Sequence, residues 1–167
     1  MASTGLVYDE GAAHPAREDD EATPKGAYPA SKLAAENELR NSGLTWSIFR
    51  FGFVYGDGDG HLESAPRLFT AWKWHPAQTL SLIHQRDIAT AVELALTGAL
   101  DGRIVNIVDE APTSVYEIAS IVGASMPQSA EPVPNPWMGH MDGSLARSLG
   151  FKPTVPTVYH ALRAGAL

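Results

Sequence analysis

The chain has 167 residues, 44% of them hydrophobic, with 12 Lys+Arg against 19 Asp+Glu for a net charge of −7, and it contains no cysteine. A chain of this length buries roughly two-thirds of the surface its unfolded form exposes, so it reads as one globular domain and not as a disordered segment. The missing cysteines exclude a disulfide scaffold, a thiolate zinc site and a cysteine nucleophile, and the negative balance with singly scattered basic residues argues against a nucleic-acid partner.

In chain order, the small and apolar residues Ala2 to Tyr8 read as the end of a strand. Asp9 to Ala27 carries Gly, Pro and the acidic run Glu18-Asp19-Asp20-Glu21 without a helical or strand period, which predicts a surface loop. Tyr28 to Asn41 is rich in helix formers, with Gly43 as a stop signal, and predicts a helix. Thr45 to Phe51 alternates β-branched and aromatic residues and predicts a strand that feeds the Gly-rich turn Gly56 to Gly60. A helix from Leu62 to Trp74, a short strand from Leu80 to Ile83 and a helix from Arg86 to Thr97 follow, the last with Asp87 placed to cap it.

Arg103 to Val108 is a nearly continuous apolar run of the kind found in buried parallel strands. Thr113 to Val122 predicts a helix opened by a capping box at Thr113-Ser114 with Glu117. Met126 to Pro136 holds four prolines and cannot be helical, and short helices are expected at Gly143 to Leu149 and Thr157 to Ala164. Alternating strands and helices through residue 122 give an α/β fold with a mainly parallel sheet and an irregular appendage. The apolar stretches are too short and too charged to span a membrane, and the amino terminus lacks a signal-peptide layout, so the expected location is the cytoplasm.

The most informative residues are Tyr28-Pro29-Ala30-Ser31-Lys32. Positions four apart share a helix face, so the Lys32 ammonium lies near the Tyr28 phenol and favours its ionised form, which suits an acid/base, although the spacing taken alone more often marks an ordinary solvated helix face. The six histidines show no i, i+4 pair and no carboxylate cluster at ligand spacing, so no metal site is expected. Ser64 or Ser81 as a hydrolase nucleophile lacks the elbow context. Trp72 and Trp74, with Phe69 and Leu68, read as an apolar helix face before a ligand pocket.

Ser3-Thr4-Gly5-Leu6-Val7-Tyr8, Tyr28 to Lys32, Arg50 to Gly56, His84 to Ala89 and Gly102 to Ile107, in that order and spacing, resemble the extended short-chain dehydrogenase/reductases, in particular the NAD-dependent epimerase/dehydratase family. The resemblance implies a partial Rossmann-like, doubly wound fold. Residues 1–110 would be the carboxy-terminal half of an NAD(P)-binding domain, with 56–80 partly on the substrate side, and 111–167 a small irregular α+β substrate-binding portion. It implies Thr4, Tyr28 and Lys32 as catalytic residues, with Ser3 the second choice to Thr4. Tyr28, Lys32, Phe51, Gly52 and Phe53 would lie against the cofactor, NAD or NADP. Arg50 and Asp87 match positions read as structural. Asp9 departs from the glycine usual after Val-Tyr, and the Pro-rich loop Glu131 to Gly139, with Trp137 and Met138, lies where the family builds its substrate pocket.

The family's Gly-rich dinucleotide fingerprint has no counterpart here. Gly56 to Gly60 carries Asp57 and Asp59 where a phosphate would sit, and it lacks the glycine and glutamate of a calcium loop, so it reads as a turn. The chain therefore resembles the carboxy-terminal portion of an oxidoreductase acting on a sugar nucleotide or a related carbonyl or hydroxyl compound. Such a portion would be inactive alone and would pair either with its missing amino-terminal half or as a homodimer through the Tyr28 to Asn41 helix. The alternative is a non-catalytic binding or scaffold remnant of the same fold.

Overall fold

The structure, a computed structural model, describes residues 1–167. Strand β1 (Ala2–Thr4) ends in a single 3-10 turn at Gly5–Val7, which Thr4 caps by accepting the Leu6 amide at 3.2 Å. A loop then leads to helix α1 (Ala27–Arg40), strand β2 (Ser47–Phe51), strand β3 (Phe53–Tyr55) and helix α2 (His61–Ala71). Strands β4 (Thr79–Leu80) and β5 (Leu82–His84) precede helix α3 (Gln85–Leu96) and strand β6 (Arg103–Ile107). The chain closes with strand β7 (Thr113–Ser114) and helices α4 (Val115–Ile121), α5 (Ser144–Ser148) and α6 (Val158–Ala164).

The main sheet has the order β1-β2-β6, every pair parallel. Parallel neighbours need crossover connections, and α1 and α3 supply them: this is the βαβ arrangement that alternating strands and helices imply. Two small sheets flank it, β3-β5 parallel and β4-β7 antiparallel. Apolar side chains collect in one core of Phe49, Phe51, Ile83, Val105, Ile107, Ala146 and Phe151 and another around Tyr55, Leu62, Phe69, Leu82, Ile118 and Val158. Neither core follows chain order: Ala146 and Phe151 return to the main sheet, while Leu62 and Phe69 pack with α4 and α6. No helix is long and apolar enough to cross a membrane.

Four expectations change. The apolar stretch around residue 81 is not one strand: Ser81 breaks it, its carbonyl accepting the Phe53 amide at 2.9 Å and its amide donating to Gly139, so residues on either side join different sheets. Asp87 does not cap α3. The cap is the His84 ring, which accepts the Arg86 amide at 3.2 Å, and buried Asp87 instead accepts from the Thr154 hydroxyl and the Thr154 and Val155 amides. Thr113 and Ser114 are strand before the helix starts, and Ser114 with Glu117 forms the capping box. The 9–26 loop is not purely a surface feature, because Ala16 is buried and exchanges backbone hydrogen bonds with His140 and Asp142 while Glu18 turns inward to accept the Asn106 amide at 2.8 Å.

Candidate active site

Thr4, Phe51 and Ile107 are the last residues of β1, β2 and β6, so they mark the carboxyl edge of the parallel sheet, the edge where open α/β sheets place their ligands. Thr4 and Phe51 are direct register partners across β1 and β2. The nearly buried Thr4 hydroxyl accepts from Leu6 and donates to no protein group.

Helix α1 packs over β1 and the 3-10 turn. Tyr28 is half exposed in its first turn, and one turn further the Lys32 ammonium lies 5.9 Å from the centre of the Tyr28 ring. The same ammonium donates to the Ala2 carbonyl of β1 at 3.3 Å, leaving two of its three donors without a protein acceptor. Lys32 thus joins Tyr28 to the strand that ends at Thr4. A free ammonium edge beside a free phenol can meet the hydroxyl groups of a ligand.

Gly52 serves a different neighbour. A Cβ there would stand 2.5 Å from the Ser81 carbonyl oxygen, so the close approach this glycine permits is to protein backbone, at the point where the chain leaves β2 for β3. The Gly56 to Gly60 turn offers no phosphate cradle, because the Asp57 and Gly58 amides are taken by the Ala166 and Leu167 carbonyls and the Asp57 carboxylate is paired with Arg86. A groove of about 300 Å³ beside Arg40, Trp46 and Arg103 lies at the amino ends of β2 and β6, away from the candidate residues.

Behind Thr4 lies a polar group that the sequence reading did not assemble. Arg50 donates to Glu36 of α1 at 2.7 and 3.1 Å, and Ser3 donates to the same carboxylate. The Arg50 guanidinium sits 4.8 Å over the Tyr8 ring, and the Tyr8 hydroxyl donates to Asn106 at 2.7 Å. Burial pushes the Tyr8 phenol up to about 12, partly offset by Arg50. Arg50 is structural, as expected. The available signals were the four-residue spacing of Tyr28, Lys32 and Glu36 and the lone polar Asn106 in an apolar run.

Parallel strands joined by helical crossovers define a Rossmann-like α/β protein. The chain belongs to the family described as the RmlD substrate binding domain, whose model matches residues 1–87. Its fold is similar to that of UDP-glucose 4-epimerase from Thermotoga maritima, solved with UDP-glucose, at 21% identity and a TM-score of 0.73 over 97% of this chain and 60% of that one. A short-chain dehydrogenase/reductase superfamily protein from Agrobacterium tumefaciens with bound NAD matches at 19% identity and a TM-score of 0.74, over 98% of this chain and 64% of that one. UDP-glucose 4-epimerase from Thermus thermophilus in complex with NAD matches at 25% identity and a TM-score of 0.72, over 98% and 60%. The chain spans less than two-thirds of the length of these structures. No curated protein sequence matches it.

Proposed function

We propose that the chain carries the proton-transfer and substrate side of an NAD(P)-dependent epimerase/dehydratase-type oxidoreductase acting on a sugar nucleotide. The observation that carries this reading is Lys32, which faces the Tyr28 ring and is tied to β1 two residues before Thr4. Tyr28 takes and returns the proton of a substrate hydroxyl, Lys32 supports the charge on the phenol and holds ribose hydroxyls, and Thr4 orients the reacting oxygen. NAD or NADP, when bound, accepts and returns hydride. Phe51 and Phe53 flank the nicotinamide, while Gly52 between them packs on the Ser81 carbonyl.

Residues 1–110 would complete the cofactor domain and 111–167 the substrate side. The pyrophosphate and adenosine contacts belong in this reading to a preceding Gly-rich half, so these residues alone neither hold NAD(P) tightly nor turn over. The protein works in the cytoplasm, with that half or a second copy packed against α1.

Joining residues 1–167 behind a Gly-rich first half and supplying UDP-glucose with NAD or NADP tests the reading. Turnover should fall about 10²- to 10⁴-fold in Tyr28→Phe, the range that one positioned acid/base contributes. Turnover indifferent to Tyr28→Phe would overturn it.

A further inference from the structure

Ser3, Arg50 and Asn106 are register partners across the three strands of the main sheet, Ser3 with Arg50 and Arg50 with Asn106, and they are 5%, 3% and 0% exposed. A parallel sheet buried under helices is ordinarily apolar at such positions. Here a polar row crosses it, and α1 lowers the fully buried Glu36 carboxylate onto that row. Resting on the acid/base reading of Tyr28 and Lys32, we propose that Glu36 and Arg50 are positioning residues that set α1 on β1 and so place Lys32 beneath the nicotinamide side of the site.

Lys32 and Glu36 stand one turn apart and engage consecutive residues of β1. Lys32 donates to the Ala2 carbonyl, and Glu36 accepts from the Ser3 hydroxyl. Two such rungs fix both the axial position and the rotation of the helix. The Lys32 rung is one 3.3 Å hydrogen bond from a long, flexible side chain, so it cannot set the helix by itself. The Glu36 rung can, because the Arg50 fork grips that carboxylate through two nitrogens.

A slip of α1 by one residue moves the carboxylate about 1.5 Å along the axis and about 100° around it, which leaves two buried charges unpaired. Apolar residues of similar volume would pack at least as stably, so what the ion pair adds is a single register. Arg50 reaches further, through Tyr8 to Asn106, whose amide donates to the Ala16 and Asp142 carbonyls at 2.9 and 3.1 Å. The same row thus fixes the 9–26 loop.

The test uses the 167-residue chain with nicotinamide mononucleotide as the probe, followed by the NMR signals of the Lys32 side chain and the Tyr28 ring. The double variant Glu36→Met/Arg50→Met should melt within about 5 °C of the parent. It should nonetheless bind the probe at least tenfold more weakly, with the Lys32 signal moved toward that of a free lysine. Glu36→Gln, which keeps the hydrogen-bonding shape without the charge, should show a smaller loss in the same direction. It serves alone if the double variant does not fold. Folded variants with unchanged probe affinity and an unchanged Lys32 signal would overturn the proposal. Lys32→Met separates the two claims: if it leaves probe binding intact, the acid/base reading fails, and if it weakens binding while the Glu36 variants do not, only the positioning role fails.

Discussion

The His84 ring holds the carboxyl-terminal segment in place: its Nε2 donates to the Ala166 carbonyl at 2.7 Å, while its Nδ1 accepts the Arg86 amide that opens α3. These two bonds require the neutral ring with its proton on Nε2. The ring is fully buried, meets Tyr55 edge-on at 5.2 Å, and lies so close to Gly56 that a Cβ there would fall 2.2 Å from Nε2. His84→Ala therefore removes a helix cap, a buried hydrogen bond and an aromatic contact together. The expected cost is about 2–4 kcal/mol by urea denaturation. The amides of residues 56–58 and 166 should also lose hydrogen-exchange protection before the rest of the chain.

Asp109 makes stability fall with rising pH. Burial pushes its carboxyl up to about 8, and one of its oxygens has no hydrogen-bond partner. Below about pH 4 both folded and unfolded chains hold this proton, so the group contributes nothing to the pH dependence. Between about 4 and 8 the unfolded chain releases the proton while the folded one retains it, and folding loses up to about 1.4 kcal/mol per pH unit. Above about 8 the loss is complete and constant. Asp109→Asn keeps the acceptor that caps the Ala111 amide and abolishes the titration, so parent and variant should diverge steadily across this window. Parallel curves from pH 4 to 8 would contradict the assignment.

Gly52→Ala tests why a glycine stands between two strands. The added methyl would meet the Ser81 carbonyl, and overpacking against backbone costs about 1–3 kcal/mol. The loss should appear as a lower melting temperature in the absence of any ligand. A variant of unchanged stability would mean that the glycine is there for a bound molecule instead.

The elements were legible wherever local chemistry fixed them. Alanine-rich α1, the alternation in β2 and the Ser114-Glu117 capping box each declare themselves within a few residues. What was hidden depended on partners far along the chain. Ser81 breaks a strand because Phe53 and Gly139 use its backbone, and Asp87 turns from the cap position because residues 154 and 155 offer it three donors. Of the candidate site, the Tyr28-Lys32 spacing was visible, but only the family resemblance of the surrounding segments singled it out from an ordinary solvated helix face. Glu36 looked like any helix-surface acid, and only the Ser3-Arg50-Asn106 register reveals why it is buried.

The most direct test of the central claim is the map of chemical-shift changes when nicotinamide mononucleotide is titrated into the 167-residue chain. Without a pyrophosphate cradle the affinity should be weak, in the millimolar range, since several charge-assisted hydrogen bonds of about 1.5–3 kcal/mol each are missing. The shifts should nevertheless centre on Thr4, Tyr28, Lys32 and Phe51 to Phe53 and vanish in Lys32→Met. Shifts confined to other surfaces, or a pattern unchanged by Lys32→Met, would contradict a nicotinamide-facing proton-transfer pair.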